Sequence, residues 1–268
     1  MLNYQRLLYW ITERDEVRKK KEIGMTKPWS NDMVFRTTYF CNVRREDDKV
    51  TQFIRSEYTP MVHHSLFEPN MILARFLNWP DSLSALGYLE HWDPRYVKET
   101  LNRIKKSGWK VWGNAYVVTT HGIKMDKIDY LCDRVMPSVL NWHRAKVAWK
   151  DCASTANSLR NIEGISTFMA GQVIADLKNT PGHRLKNAPD WWTFAFPGPG
   201  SIRGMDWLHG DKVPASQWLQ NLHSLQDALK CDGWHLCAQD VQNCLCEYDK
   251  WERVTNGTGR SKRGYPGV

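Results

Sequence analysis

Apolar residues recur every three or four positions along most of the chain, the spacing of a helix with one buried face. Such stretches cover residues 2–17, 68–79, 124–149 and 214–230, and a last helix is predicted at about His235–Arg253. Residues 113–122 are mildly β-like, but they stand alone. The pattern therefore predicts an all-α fold, organised as a single domain over residues 1–255 with a basic, glycine-rich flexible tail at 256–268.

Residues 153–178 predict a helix, a short hairpin and a second helix. Gly164 suits a turn with positive φ, and Ser166 or Thr167 suits the N-cap of a helix that continues to about Lys178. Backbone N–H groups at such a helix start are suited to a phosphate. The alternative is an ordinary helical hairpin with a glycine turn.

Residues 179–210 show little periodicity and predict one long loop. A loop of this length in a compact domain is usually functional or disordered, and its aromatic content argues against disorder. Three glycines near its end suit a phosphate cradle together with a hydroxyl and a guanidinium group. These residues are Gly198, Gly200, Ser201, Arg203 and Gly204. The segment lacks the Gly-Lys-Ser/Thr ending of a nucleotide-binding P-loop, which excludes that kind of triphosphate site.

A second polar cluster is predicted in the loop that follows Phe40. It brings Asn42, Arg44, Arg45 and Asp48 together. An amide can read a base edge, and guanidinium groups can hold phosphate oxygens. A buried Arg–Asp network that ties two helices together is the alternative. Arg75 lies inside an apolar helix, so it needs a carboxylate or a ligand as partner.

In the last predicted helix, Val241, Leu245 and Tyr248 form the apolar stripe. Glu247 and Lys250 fall on a different face with Asn243 and Cys246. This face is either the charged wall of an active site or an exposed i,i+3 pair of little energetic weight. Gln172 and Asp176 share a helix face in the same way, four residues apart.

Charge favours a polyanionic partner, because the chain carries 37 Lys and Arg against 29 Asp and Glu, a net charge of +8. Seven cysteines, no recognisable signal peptide and no apolar run of about 18 residues predict a cytoplasmic protein with reduced thiols and no membrane span. The spacing of His235, Cys237, Cys244 and Cys246 matches no common zinc site, so no metal site is predicted.

Several of these stretches occur together in an order that resembles one family. They are Trp29–Asp32, Phe40–Asp48, Leu73–Pro80, Gly164–Leu177, Gly198–Gly204 and Gln242–Lys250. In combination they are similar to the bacteriophage DNA thymine-hypermodification family. That family includes the α-glutamyl/putrescinyl thymine pyrophosphorylases, amino acid:DNA transferases and the helical domain of 5-hydroxymethyluracil DNA kinases. The resemblance covers roughly residues 25–253.

The resemblance implies a helix-hairpin-helix DNA glycosylase-like fold acting on a modified thymine in double-stranded DNA. It implies a transferase that displaces pyrophosphate from 5-(pyrophosphoryloxymethyl)uracil with an amine or amino acid. Ser166 stands where a second hairpin glycine is common in that superfamily. Asp190 falls near the position of the glycosylase aspartate. Phe168 lies where bifunctional glycosylases carry their lysine, so a Schiff-base mechanism is not expected.

The chemistry assigns a role to each kind of candidate residue. Trp29, Trp191 or Trp192 would stack on the flipped base, and Arg44, Arg45, Arg203 or Lys250 would stabilise the leaving pyrophosphate. Asp48, Asp190 or Glu247 would deprotonate the amine. Gln172 and Asp176 would face the same pocket or brace the long loop. A pyrophosphate often brings Mg²⁺, although no clear ligand cluster is visible.

Two other functions stay open. A DNA glycosylase would release a modified base without any added amine. A non-catalytic accessory domain of a hydroxymethyluracil kinase system would only bind DNA, with an affinity that falls steeply with salt.

Overall fold

The protein is described by a computed structural model over residues 2–113, 119–145 and 149–259. Within those ranges the chain forms helices and loops and no strand, which confirms the predicted all-α class. Residues 114–118 of the predicted β-like segment at 113–122 fall outside them, and its described residues form no strand. The helices are α1 Tyr4–Glu22, α2 Met33–Thr37, α3 Lys49–Tyr58, α4 Phe67–Leu77, α5 Pro80–Leu86, α6 Pro94–Lys106, α7 Lys127–Tyr130, α8 Met136–Arg144, α9 Cys152–Leu159, α10 Thr167–Asn179, α11 Pro199–His209, α12 Trp218–Cys231 and α13 Ala238–Thr255.

The chain divides into two compact units. Unit 1 comprises Met1–Asp48 and Trp192–Val268, and unit 2 comprises Lys49–Trp191. The single domain over residues 1–255 and the flexible tail at 256–268 stay predictions, and residues 260–268 of that tail lie outside the described ranges.

Unit 1 is built around α13. Its residues Val241, Leu245 and Tyr248 are fully buried, as the sequence stripe predicted, and they pack in one core with α1, α11 and α12. Trp10 and Trp218 are the largest fully buried side chains of that core. An aromatic side chain of this size buries about 200 Å², which at about 25 cal/mol per Å² contributes about 5 kcal/mol. Because this core holds one face of α13, it determines which way the other faces of the helix point.

Unit 2 is built around α4, which is buried along nearly its whole length. Helices α3, α5, α8 and α10 pack against it. A π-helical turn, Leu131–Val135, joins α7 to α8. The helical path therefore continues through Pro137. Proline lacks the N–H that would bond back along the helix, and the wider turn just before it accommodates that loss.

The predicted hairpin region of unit 2 contains a helix, a short turn and a second helix, and its assignment as a helix-hairpin-helix element stays a prediction. Its second helix, α10, begins at Thr167 as predicted, and the Ser166 hydroxyl accepts from the backbone N–H of Met169 at 3.3 Å. Gly164 has a φ of +82°, and a Cβ there would lie 2.8 Å from Cγ2 of Val135. Glycine is therefore required both by the backbone angle and by the space.

The predicted loop at 179–210 is wrong over its second half. Pro199–His209 forms α11, preceded by a 3₁₀ turn at Arg184–Asn187. Proline at the first helical position is pre-organised for a helix. The Ser201 hydroxyl accepts from the N–H of Gly198 at 2.9 Å and donates to its carbonyl at 3.0 Å. The proline and glycines that suggested a loop therefore start a helix.

Candidate functional site

The loop at residues 39–48 lies along one flank of α13 in unit 1. Asp240 accepts from the backbone N–H of Arg45 at 3.1 Å, and Asn243 donates to the carbonyl of Asn42 at 3.1 Å. Glu247 accepts from the N–H of Cys41 at 3.0 Å. These α13 residues share a helix face because they are spaced three and four apart. The predicted loop cluster and the predicted Glu247 face therefore form one site.

Glu247 and Lys250 form the charged centre of this site. Lys250 Nζ donates to Glu247 Oε2 at 2.6 Å and to the Tyr39 carbonyl at 3.3 Å, and lies 5.3 Å from the ring centroid of Phe40. The Glu247 side chain is 10% exposed and that of Lys250 is 28% exposed. The pair is therefore partly withdrawn from solvent, unlike the surface pair that was the alternative interpretation.

A buried arginine that the sequence analysis missed shapes the loop. Arg14 of α1 is 3% exposed, and its Nε donates to the carbonyls of Phe40 at 3.2 Å and Cys41 at 2.9 Å. Its Nη2 donates to Oδ1 of Asn42, whose amide group donates to the Asp47 carbonyl at 2.8 Å. Arg14 shares an apolar helix face with Leu7, Trp10 and Ile11, the same signal that identified Arg75.

The other predicted members of the loop face different partners. Asp48 accepts from the N–H of Asn42 at 3.2 Å, so its carboxylate closes the turn. The guanidinium of Arg44 lies 5.6 Å from the ring centroid of Trp234. Arg45 begins the 3₁₀ turn Arg45–Asp47. All three side chains are half-buried.

Helix α11 covers the opposite flank of α13. A Cβ on Gly204 would lie 2.2 Å from the carbonyl oxygen of Leu245, and one on Gly200 would lie 3.2 Å from Sγ of Cys246. These two glycines therefore permit close helix packing, and the phosphate cradle predicted for Gly198, Gly200, Ser201 and Gly204 is not the arrangement found. Ser201 is fully buried.

Asp249 binds the arginine side chains on the α11 side of α13. It is 1% exposed and accepts from Arg203 at 2.8 Å, from Arg253 at 3.2 Å and from Trp207 at 3.3 Å. The Asp249 hydrogen bonds raise the pKa of Arg203. The Arg203 side chain is still 49% exposed, so it presents positive charge to solvent.

The polar face of α13, defined here as Gln239, Asn243, Cys246 and Lys250, lies between these flanks. At 100° per residue, positions three and four apart fall on the same side of a helix, so these four residues form one stripe. Each of them is half-buried. Burial raises the pKa of the Cys246 thiol to about 12. Burial, with the charges of Glu247 and Asp48, also raises the pKa of Cys41 well above its usual range. Both shifts disfavour a thiolate nucleophile at this site.

The predicted stacking residues of unit 1 are Trp192 and Trp29. Trp192 is 39% exposed, and its carbonyl accepts from the N–H of Ala238 at 2.9 Å, beside the start of α13. Trp29 is half-buried, donates to the Met25 carbonyl and lies against Lys21 and Lys27. The ring of Trp192 is therefore the more accessible platform.

Arg75 and Asp176 lie in unit 2 and form a buried ion pair. Both residues are 1% exposed. Arg75 donates through Nε and Nη2 to the carboxylate oxygens of Asp176, with further bonds to Asn78 at 3.0 Å and Thr51 at 2.9 Å. Arg75 thus has the carboxylate partner that its burial demanded. This geometry favours a structural role for the pair over phosphate binding or catalysis. Gln172, one turn before Asp176, is half-buried.

Asp190 also has a structural position in unit 2. Its two carboxylate oxygens accept from the backbone N–H groups of Cys152 at 2.7 Å and Ala153 at 2.9 Å, which caps the start of α9. The indole N–H of Trp191 donates to the Lys178 carbonyl at 2.7 Å, and the Lys178 Nζ lies 4.7 Å from the ring centroid of Trp191. The predicted base Asp190 and stacking residue Trp191 are thus tied to the helical hairpin.

Two further results concern the described residues only. No group of three or more His, Cys, Asp or Glu side chains there is placed to hold a metal ion. None of the helices there combines the length and the apolar character that a membrane crossing requires.

The comparison with protein families identifies the chain. The family model that matches is described as "5-hmdU DNA kinase, helical domain", and it covers residues 3–261. No curated protein and no solved structure matches the chain. The resemblance to the helical domain of 5-hydroxymethyluracil DNA kinases is therefore confirmed. Since the match spans nearly the whole sequence, the chain belongs to the family of the 5-hmdU DNA kinase helical domain.

Proposed function

We propose that this chain modifies thymine in DNA as a transferase that replaces the pyrophosphate of 5-(pyrophosphoryloxymethyl)uracil with an amine or amino acid. The family supports a role on a modified uracil in DNA. The net charge of +8 supports a polyanionic substrate. The amine-transfer chemistry, the helix-hairpin-helix glycosylase-like ancestry and the phage origin rest on the resemblance of the quoted motifs.

The observation that carries the proposal is the Glu247–Lys250 pair beside the polar face of α13. Glu247 is 8% exposed, and its Oε2 is held by the Cys41 N–H and the Lys250 ammonium. A carboxylate fixed in this way can take a proton from an incoming ammonium group without moving far. Arg44 and Arg203 place positive charge on the two flanks of α13.

The proposed reaction is a displacement at the methylene carbon of the modified base. The amine nitrogen forms the new C–N bond as the C–O bond to pyrophosphate breaks, and the pyrophosphate keeps the electron pair. Glu247 accepts the proton that the amine nitrogen loses. Lys250, Arg44 and Arg203 stabilise the charge that develops on the leaving group. Trp192 stacks on the flipped base.

Pyrophosphate release tests the proposal. Duplex DNA that carries 5-(pyrophosphoryloxymethyl)uracil is incubated with the protein, with and without a mixture of amino acids and polyamines. The proposal predicts pyrophosphate release that requires the amine mixture. Release of free base without amine would make the protein a glycosylase. Tight DNA binding with neither product would make it an accessory domain of the kinase system.

A further inference from the structure

Trp109 is an exposed aromatic side chain that the proposed site does not use. It follows α6 in unit 2 and is 68% exposed, although tryptophan normally buries most of its surface. Its backbone is fixed, because its N–H donates to the Ile104 carbonyl at 3.2 Å. The exposed ring is therefore presented by an ordered helix end.

Basic side chains surround Trp109 in the sequence of this helix end. Between residues 94 and 112 the cationic residues are Arg95, Lys98, Arg103, Lys105, Lys106 and Lys110, against the single acid Glu99. Lys98 pairs with Asp129 and Asp133, and Lys105 pairs with Asp126. Among the described residues no carboxylate pairs with Arg103, Lys106 or Lys110. Their charge is therefore available to a ligand.

Two of these side chains, Arg103 and Lys106, line an open groove. The groove is shallow and open to solvent, and its described border is formed by Lys98, Glu99, Asn102, Arg103, Lys106 and Ser107 of α6 and its end. Lys110 continues the basic edge beyond Trp109, with its ammonium 5.3 Å from the ring centroid of Trp79. The end of α6 and the residues that follow it thus carry several cations and one exposed aromatic ring.

We propose that Trp109, Arg103, Lys106 and Lys110 form a second DNA contact, which binds an unstacked stretch of strand. The cationic side chains take successive backbone phosphates, and the Trp109 ring stacks on a base that is not paired. Positively charged grooves with exposed aromatic rings bind single strands in this way, because every base offers a π-face. The inference rests on the proposed function in one respect, that DNA is the substrate.

Binding of labelled DNA to the full chain tests this contact. Kd is measured by fluorescence anisotropy for a single-stranded 20-mer, for its duplex, and for the duplex with one unpaired base. Trp109→Ala is expected to weaken binding about 10-fold on the single strand and on the unpaired-base duplex, with little change on the intact duplex. Trp109→Phe keeps a stacking face and should restore most of the affinity.

The charge contribution is tested by salt dependence. Arg103→Gln combined with Lys106→Gln should reduce the slope of log Kd against log salt by about 1.4 on single-stranded DNA, since each phosphate contact contributes about 0.7. Lys212→Gln combined with Lys230→Gln removes the same charge from exposed positions of unit 1 and should leave the slope unchanged. Melting curves confirm that each variant is folded.

Three outcomes would overturn the contact. Unchanged Kd and slope in the Trp109 and Arg103/Lys106 variants, with tight wild-type binding, would remove this contact and leave the proposed function standing. No DNA binding by the wild-type chain would remove both. Binding to vesicles of phosphatidylglycerol and phosphatidylcholine that Trp109→Ala abolishes, without a change in DNA affinity, would assign the patch to a membrane surface.

Discussion

Buried charged side chains in this protein are held by specific partners. Whether such a pair is enclosed or lies beside an exposed face distinguishes structural residues from candidate catalytic ones. Arg75 is enclosed with Asp176, whereas Glu247 is held beside a half-exposed face. A buried ion pair with several hydrogen bonds to protein groups is poorly placed to bind a substrate. A carboxylate at the edge of a solvent-accessible face is better placed to do so.

Loss of one partner of the Arg75–Asp176 pair should destabilise the fold. We expect Arg75→Met or Asp176→Asn alone to lower the free energy of unfolding by about 3–5 kcal/mol, because an uncompensated charge or an unfilled guanidinium site stays buried. The double variant Arg75→Met/Asp176→Leu should lose much less than the sum. Urea denaturation measures these values. Single variants within about 1 kcal/mol of the wild type would show that the pair is not structurally required.

Glu247→Gln should remove activity while leaving the fold in place. The amide oxygen can still accept from the Cys41 N–H, but it cannot take a proton from the amine. We expect the rate of amine transfer to fall about 10²-fold or more, with Tm within a few degrees of the wild type. Glu57→Gln, an exposed carboxylate on α3, is the control and should keep full activity. Full activity of Glu247→Gln would transfer the base role to another residue.

The residue types needed for the site were visible in the sequence, but their partners were not. Spacing along one helix placed Glu247 beside Lys250, and burial of Arg75 demanded a carboxylate. Asp190 could not be assigned from sequence, because the N–H groups that it caps lie 37 and 38 residues earlier in the chain. A carboxylate used as a helix cap and one used as a base have the same local sequence signature.

Helix α11 is the element for which the sequence pattern was misleading. Gly198, Gly200 and Gly204 have low intrinsic helix propensity, so the segment is predicted as a loop. Two of these glycines instead serve a contact with α13 that only the folded structure reveals. The start of α10 at Thr167 was predicted correctly, since an N-cap side chain acts locally.

Substitution at the α11–α13 contact should show how close this packing is. Gly204→Ala would put a Cβ 2.2 Å from the Leu245 carbonyl oxygen, so the two helices must separate. We expect a loss of about 1–3 kcal/mol in stability, the usual cost of overpacking. Gly198→Ala meets nothing closer than 3.8 Å and is the matched control. Thermal melts that are equal for the two variants would contradict this account of α11.

At the scale of the whole molecule, the two main features are the net charge and the division of the chain into two compact units. The net charge was available from the sequence and favours DNA as partner. The division into two compact units could not be predicted from the sequence. Both units contain helices with the same apolar spacing, and no linker of distinctive composition separates them. Unit 1 takes its residues from both ends of the chain, so contacts between distant segments define it.

Acid should destabilise the protein through carboxylates with a lowered pKa. Burial raises the pKa of Glu252, but bonds from Arg6 outweigh this and lower it below 4.5. The folded state therefore holds fewer protons than the unfolded chain, so this stability is present above pH 4.5 and is lost as pH falls through the lowered pKa. Glu252→Gln should lower Tm at pH 7 and flatten its fall below pH 4.5. An unchanged pH profile of Tm would contradict this.

The central claim is that this chain joins an amine to a modified thymine through the Glu247 face of α13. Mass spectrometry of the nucleosides tests it most directly, after DNA containing 5-(pyrophosphoryloxymethyl)uracil is incubated with the chain and a mixture of amino acids and polyamines. The account predicts a new nucleoside, absent with Glu247→Gln, whose mass equals that of 5-hydroxymethyl-2′-deoxyuridine plus one amine less one water. Nucleosides that stay unchanged with the wild-type chain, or a released free base, would contradict it.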